Sequence, residues 1–505
     1  MTPVIEAAAP GGFLLPLALM APVVGMLAAV AFGGRHAHRV ALATVPVGLA
    51  LAVAIVVHLA RSGEALQYLL GAWPPPLGVR LRADGLAAAM MLVTAVVIGA
   101  TALYARTEFG ARAGAPEARA PFAFWPLLLA VWGALNTVFL AHDLFTLFVA
   151  LELLTFAAVP LVCLDGRAET LQAALRYLLF ALAGSGLYLV GIPLLYATYG
   201  TLDISLLAVR VHLDPATLTA ASLMTAGLLA KTALFPLHLW LPPAHAGAPA
   251  PASTVLSALV IKGSFFVLVR LWFDVGLASG AGAQLLAALG AAAIFFGNVV
   301  ALRQVRLKLL IAYSTVAQIG YLFIMFPLAF GAGATAADAA TALNGGLMQV
   351  ISHATAKAAM FMSAGLIYAA LGHDRVADLA GVGRAMPMSL FAFALGGIAL
   401  VGLPPSGGFL AKWLLLSVSV TTGQWWWAAV MLIGGLLTAC YVVLVVMRAM
   451  TSPETPLALK GEVPRGREAV ALALALCSVL LGFVAFVPID LLAIGRPHPV
   501  ALGWR

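Results

Sequence analysis

The chain has 505 residues, 63% of them hydrophobic and only 9% charged, with a formal net charge of +8. Soluble globular proteins carry about 25% charged residues, so too little polar surface is available to cover a water-soluble particle, and the chain reads as an integral membrane protein. Its apolar runs are continuous over about 20 residues rather than alternating over about 10, which selects helices over a β-barrel and assigns the positive charge to membrane topology, not to nucleic acid.

Fourteen spans are predicted, over residues 12–33, 38–60, 84–105, 122–141, 144–164, 171–199, 217–240, 251–276, 282–302, 309–328, 341–371, 388–417, 424–447 and 469–493. The longest of them require tilt, a break or turns outside the bilayer. MTPVIEAAAPGG has no basic n-region, so the first run is expected to be a retained span. The polar interruptions at 61–83, 106–121 and 450–468 are too small to bury a core, which leaves one polytopic membrane domain over 1–505. Loops after odd-numbered spans hold 16 Lys or Arg and loops after even-numbered spans hold 5. The positive-inside rule then puts the odd loops in the cytoplasm and both termini on the outer side of a bacterial-type inner membrane. Cys163, Cys440 and Cys477 have unrelated spacing and suggest neither a disulfide framework nor a metal site. No cofactor motif is present.

In chain order, the first polar residue of interest is Glu152 in LFTLFVALELLTFAAVPLV, the fifth span. It is well inside the span and is expected to pair with a lysine from another span, either as a static packing pair or as a tunable one. The seventh span supplies Lys231 in GLLAKTALFPLHLWLPPAHAGAPAPAS. Pro236 follows five residues later, removing a backbone donor and crowding the preceding turn. His238 and His245 come next, able to link the interior to one surface or to serve packing alone. The eighth span holds Lys262, and the tenth holds Tyr313, Ser314 and Gln318 in LLIAYSTVAQIGYLF, which can order water or bridge helices. In LMQVISHATAKAAMFMS, the eleventh span, His353 and Lys357 stand four residues apart and share one helix face. The twelfth span, GIALVGLPPSGGFLAKWLLL, is interrupted by Gly402, Pro404, Pro405, Gly407 and Gly408 just before Lys412.

Four of the six lysines, Lys231, Lys262, Lys357 and Lys412, therefore fall inside apolar spans. Lysine is ordinarily a surface residue, and a charge at the bilayer centre costs about 2.5–3.5 kcal/mol on insertion scales. Snorkelling from a helix end accounts for one such residue, Lys412 most readily, but not for four. A buried lysine can release its proton near neutral pH whereas arginine stays charged, so the choice of lysine suits a proton relay. Breaks at corresponding places in two halves point to a transport site, because unpaired backbone in a bilayer persists only where protein or water satisfies it. Spans 7 and 12 are five apart, which fits repeats of spans 4–8 and 9–13, imperfect because the tenth span has no counterpart of Glu152. Proline kinks that serve packing alone are the plainer alternative.

AKTALFPLHLWLPPAHAGAPAPASTVLSALVIKGSFFVLVR, LKLLIAYSTVAQIGY, HATAKAAMFMSAG and GLPPSGGFLAKW together resemble the signature segments of the antiporter-like membrane subunit family. That family includes the large subunits of Mrp-type Na+/H+ antiporters and the proton-pumping membrane subunits of respiratory complex I and of membrane-bound hydrogenases. The resemblance spans roughly residues 80–450. It implies an all-α membrane fold of about fourteen helices with two inverted five-helix repeats, at about 122–276 and 282–447, and broken seventh and twelfth helices. By the same resemblance Glu152 matches the family's span-5 glutamate, Lys231 and Lys262 its span-7 and span-8 lysines, and Lys412 its span-12 basic residue. His353 and Lys357 match the polar span-11 segment, while Gln318 stands where many relatives carry histidine. LLGAWPPPLGVRLRADGLAAAMMLVTAVV is most similar to the D-type subunits of Mrp antiporters.

The expected function is a proton-translocating subunit of a multisubunit Na+/proton antiporter, working with other integral membrane subunits, with no cofactor or metal of its own. In that reading Lys231 is the pump-side proton carrier tuned by Glu152, Lys262 passes the proton centrally, His353 and Lys357 bridge the halves, and Lys412 exchanges with the other side. The alternative is a proton-pumping subunit of a complex I-like NADH-quinone oxidoreductase or an energy-converting hydrogenase, with the redox chemistry in a partner. A membrane scaffold with an inactive proton path is a third reading, against which the retained ionisable residues argue.

Overall fold

The computed structural model describes residues 11–110, 118–453, 459–461, 463–484 and 486–496. The amino-terminal segment before residue 11, Arg112 and Arg505 lie outside the described residues, as does residue 485 in the last predicted span. The helices are α1 Leu14–Ala31, α2 Gly34–Ser62, α3 Gly85–Phe109, α4 Arg119–Leu140, α5 Leu144–Val162, α6 Ala168–Tyr199 and the short α7 Ile204–Ala208. They continue with α8 Pro215–Thr232, α9 Leu241–Gly247, α10 Ala250–Asp274, α11 Gly280–Leu302, α12 Leu307–Phe330 and α13 Ala336–Leu371. The last are α14 Pro387–Val401, α15 Gly407–Thr421, α16 Trp425–Met450, α17 Arg465–Leu480 and α18 Phe486–Ala493. Among the described residues eleven helices are long and apolar enough to cross a bilayer. The twelfth and fourteenth predicted spans fall on divided helices, α14 with α15 and α17 with α18, while the seventh, 217–240, covers α8 and the non-helical residues 233–240, with α9 starting just beyond it.

One element lies outside the all-helical expectation. Leu66–Leu69 (β1) and Arg80–Ala83 (β2) form an antiparallel hairpin in what reads as a polar interruption from sequence. Its strands are only four residues long, at the lower limit for reading alternation.

The core is set by the helices that carry polar side chains, because lipid accepts an apolar face but not a polar one. α10, with Ser257, Lys262, Ser264 and Arg270 along it, is buried along its whole apolar window. α13 packs against α14, α15, α17 and α12 and is nearly as enclosed. α1 and α2 lie at the periphery, exposing Leu17, Val24, Leu27 and Val47. Without a hydrophobic drive between helices in lipid, close packing relies on small residues. At the α6–α8 crossing a Cβ on Gly227 would stand 2.2 Å from the Gly184 carbonyl oxygen. Aspartates start several helices by accepting a backbone N–H from the first turn: Asp84 for α3, Asp143 for α5, Asp203 for α7 and Asp214 for α8.

On the even-loop side, a buried charge network joins distant segments. Arg270, near the end of α10, donates to both Asp84 carboxylate oxygens at 2.5 and 2.7 Å and to Asp274 at 2.5 Å. Arg80 on β2 makes a bidentate pair with Asp203, Nη2 to Oδ1 at 2.5 Å and Nε to Oδ2 at 3.2 Å. Arg82 donates to the Gly495 carbonyl at 2.5 Å and lies 3.5 Å from His142, whose ring contacts Ser205 at 2.8 Å. Burial, reinforced by Arg82, Arg270 and Arg80, holds the His142 imidazole well below its usual range, so it is neutral at pH 7. Three of the five even-side arginines are thus internal ties rather than surface charge, which sharpens the charge asymmetry of the two faces. Replacing Arg270 with leucine strands Asp84 and Asp274 without their partner; we expect a loss of about 3–5 kcal/mol, read as a lowered thermal unfolding midpoint of the purified complex. An unchanged midpoint would show that the network contributes nothing to the fold.

Candidate functional site

The four lysines read from the spans are all buried, at 8% (Lys231), 1% (Lys262), 0% (Lys357) and 6% (Lys412) relative exposure. Each is seated at backbone carbonyls, and the local reason differs from one to the next.

Lys231 lies in the last turn of α8. The helix stops at Thr232, four residues ahead of Pro236, because Ala233 turns left-handed at φ +58. Residues 233–240 are not helical, and the Trp240 indole N–H closes the break by donating to the Ala230 carbonyl at 2.9 Å. Lys231 Nζ reaches across to α5. It donates to Glu152 Oε1 at 3.1 Å, to Thr155 Oγ1 at 2.9 Å and to the Leu151 carbonyl at 3.3 Å. Ser185 on α6 donates to the same Glu152 oxygen. A cavity with room for about one water, lined by Lys231, Thr155, Tyr177, Val260 and Ser264, leads from this pair toward α10.

Lys262 sits on α10 just after a wide π turn, Leu256–Val260. Such a turn displaces the regular i→i+4 ladder, and Lys262 Nζ donates to the Ser257 carbonyl five residues back. Ser257 Oγ meets Thr315 Oγ1 on α12 at 3.0 Å, and Thr315 donates to the Ile311 carbonyl at 3.0 Å. Lys357 on α13 ends on that same carbonyl at 2.9 Å and also donates to Ser314 Oγ. One hydroxyl–carbonyl string therefore joins Lys262 to Lys357. His353, one turn earlier, is within coulombic reach of both lysines, and both its ring nitrogens are without a direct partner.

Lys412 follows the second break. α14 ends at Val401, Gly402 adopts φ +85, and residues 402–406, with Pro404 and Pro405, are not helical. Lys412 Nζ donates to the Leu400 and Val401 carbonyls at 2.9 and 2.8 Å, the negative end of the α14 dipole. It also stands over the Tyr321 ring at 4.2 Å. Gln318 donates to the same Leu400 carbonyl at 3.2 Å and accepts from Gln349 at 2.9 Å. Among the described residues only Lys231 of these four lysines forms an ion pair with a carboxylate.

The two histidines of the 233–247 segment part company. His238 packs between Phe235 and Phe296 and lies off the lysine string. His245 stacks on Phe361 at 4.7 Å, fully buried, within coulombic reach of Lys262, Lys308 and Lys357. Beyond it, on the odd-loop side, is a cavity of about 570 Å³ bordered by Arg167, Glu169, Arg306, Lys308, Tyr368 and Arg467. Several residues near the string escape a reading of the sequence alone. Lys308 is buried at the start of α12, donating to the Ala248 carbonyl at 2.9 Å, although it reads as a loop charge. Glu468 reads as lying outside the last span, yet it is the first-turn acid of α17, buried, and accepts from Ser389 N and Oγ at 3.2 and 2.8 Å. Tyr313 is half-buried.

Residues 141–438 match the family described as NADH:quinone oxidoreductase/Mrp antiporter, transmembrane. The chain belongs to that family. It is therefore a multi-pass membrane protein with Mrp antiporter and complex I-like homologues. It is 36% identical over 404 residues to the N subunit of the NADH-quinone oxidoreductase of Desulforudis audaxviator, covering 79% of this chain and 78% of the relative. It is 27% identical to the D subunit of the Na(+)/H(+) antiporter of Alkalihalophilus pseudofirmus, with 94% of both chains covered. The fold is similar to a chain of the Mrp complex from Dietzia sp. DQ12-45-1b, with a TM-score of 0.87, 23% identity, and 97% of this chain and 99% of that chain covered.

Gly402 tests how tightly the second break is specified. An alanine Cβ there would meet Lys412 Cδ at 2.6 Å on a backbone only glycine adopts freely. Gly402→Ala is expected to cost at least about 1–2 kcal/mol and to lower the thermal midpoint, whereas Gly186→Ala, which meets nothing within 4 Å, leaves it near wild type. Equal midpoints for the two variants would contradict this account of the break.

Proposed function

We propose that this chain is the proton-translocating subunit of a multisubunit cation/proton antiporter, with Na+ as the exchanged cation. The observation that carries the reading is the buried Lys231–Glu152 pair, beside a one-water cavity that reaches α10, where a separate polar string joins Lys262 to Lys357. An amine paired with a carboxylate and hydroxyls can hold a proton; weakening that pair favours its release. Protons enter from the odd-loop face through the large cavity and His245, and His353 shares them between Lys262 and Lys357. Lys231 and Glu152 set the charge state at one end, and Lys412 exchanges with the opposite side. His238 serves packing in this scheme. The full-length similarity to the D subunit of an antiporter supports the antiporter assembly. The odd-loop face is cytoplasmic and both termini lie on the outer side of a bacterial inner membrane, with residues 122–276 and 282–447 as two repeats, each holding one broken helix.

A second reading, a proton-pumping subunit of a quinone-reducing complex, is favoured by the 36% identity to the N subunit of an NADH-quinone oxidoreductase. In it the same string moves protons, and a partner supplies the redox step.

Vesicles holding the complete native complex decide between them. On the antiporter reading, a Na+ gradient drives proton movement, and Lys231→Ala lowers its rate by about 10²-fold or more, the scale of losing a positioned proton-transfer group. Proton movement that needs an electron donor and ignores Na+ would select the second reading. Proton transport by Lys231→Ala at the wild-type rate would sink both. A separate variant, Glu152→Gln, keeps the shape and removes the charge; transport is expected to fall while the assembled complex is recovered in normal yield. Wild-type transport in that variant would remove the glutamate from the relay.

A further inference from the structure

The polar string has a gap. Lys357 ends on Ser314, and Lys412 ends on the Leu400 carbonyl that Gln318 also holds. Among the described residues no direct side-chain hydrogen bond joins Ser314 to Gln318 or Thr438. One side chain stands between the two clusters. Tyr441 on α16 is fully buried, and its hydroxyl faces Thr438, Ser314 and Gln318. It makes no direct hydrogen bond of good geometry with any of the three.

We propose that Tyr441 is the relay residue that carries protons between the Lys357 cluster and the Lys412 cluster, a role that rests on the proton-translocating reading above. Three observations support it. A buried hydroxyl without a partner costs about 1–3 kcal/mol, an arrangement that packing alone does not favour when phenylalanine would fill the same space. The hydroxyl is a free rotor that both accepts and donates, unlike the Gln318 amide beside it, which exchanges protons poorly. The helix face is continuous: Gly435, Thr438 and Tyr441 are three residues apart and so lie along one side of α16. At its near end Gly435 faces Lys412, for a Cβ there would stand 3.9 Å from Nζ. Thr438 in the middle is tied to Asn298 Oδ1 and the Gly434 carbonyl, at 3.1 and 2.9 Å, and lies 3.5 Å from Gln318 Nε2.

The transfer balances as a chain of hops. Lys357 gives a proton to Ser314 Oγ, which passes its own to the Tyr441 oxygen. Tyr441 releases its hydroxyl proton to Thr438, and Thr438 passes one on, through a single water beside Gly435, to neutral Lys412. Each oxygen gains one proton and loses one. Lys357 ends neutral and Lys412 ends as an ammonium, with no electron transferred.

The test is Tyr441→Phe in the complete complex, reconstituted in vesicles beside wild type and Lys231→Ala, with proton transport measured in H2O and in D2O. Removing a hydroxyl that makes no direct bond leaves the shape intact, so assembly is expected to match wild type and the thermal midpoint to equal or exceed it. Proton transport is expected to fall about tenfold or more, and the solvent isotope effect to rise as the proton step becomes limiting. Ser314→Ala added to Tyr441→Phe is expected to cause little further loss, because both interrupt one path. Wild-type transport and isotope effect in Tyr441→Phe, with Lys231→Ala inactive, would overturn the role of Tyr441 and leave the functional reading standing. Failure of Tyr441→Phe to assemble would also overturn it, by making the hydroxyl structural. An inactive wild type under every driving force would overturn the functional reading itself.

Discussion

The rest of the structure depends on one constraint: an amine inside an apolar bundle must find acceptors, and helices ordinarily keep their carbonyls for themselves. Here the acceptors come from local helix chemistry. Lys412 uses two carbonyls that α14 leaves unpaired at its broken end. Lys262 uses a carbonyl at a π turn of its own helix. Lys231 and Lys357 use a different device, a helix carbonyl with a hydroxyl one turn later. For Lys231 these are Leu151 and Thr155; for Lys357 they are Ile311 and Ser314. Helix irregularities thus seat Lys412 and Lys262, while hydroxyls on neighbouring helices complete the seats of Lys231 and Lys357.

Among the described residues only one of the four seats contains a carboxylate. Lys231 with Glu152 is close to neutral as a pair, whereas Lys262, Lys357 and Lys412 face neutral dipoles. Dipoles solvate a charge less completely than a counter-ion does, and like charges in a medium of low dielectric repel strongly. Lys262, Lys357, His245 and His353 are close enough to feel one another. A proton arriving at one member therefore disfavours protons on its neighbours. On the proposed reading this repulsion is what moves protons outward from the centre, and the Glu152 pair is the one place where the balance can be changed from outside the string.

Much of this was legible in the sequence because membrane burial inverts ordinary statistics. Lysines inside apolar runs and glycine–proline clusters in mid-span are improbable unless something internal satisfies them, so Lys231, Lys262, Lys357, Lys412 and both breaks stand out. The exact end of α8 does not, since the left-handed turn at Ala233 has no residue signature. The π turns of α10 are equally silent, having no residue signature in the sequence. The hydroxyls are the larger loss. Ser and Thr are common in membrane helices and usually bond back to their own turn, as Thr101 and Thr254 do. Whether a given one also joins a second helix, as Ser185, Thr155 and Ser314 do, depends on helix rotation, which periodicity does not fix when all faces are apolar. Tyr441 in ACYVVLVV gives no more than a polar residue three places after Thr438.

The two ends of the string lie toward lateral surfaces, not toward the two membrane faces. Glu152 retains 17% side-chain exposure on a helix that presents Phe145, Leu153 and Phe156 outward. Lys412 is followed by Trp413, 59% exposed, on the helix that starts beyond the second break. Access to the aqueous phases is separate: a 570 Å³ cavity on the odd-loop side, and on the other side a network of arginine–aspartate pairs that ties β2, α3, α7 and α10 together. A continuous pore would need both faces open along one axis. A lateral string with one open vestibule and one pinned face instead suits a subunit whose ends are covered by neighbours. The relatives and the structural neighbour are subunits of multisubunit membrane complexes, and the physical reason to expect the same here is that a carboxylate facing lipid is costly, while one facing a partner's polar group is not.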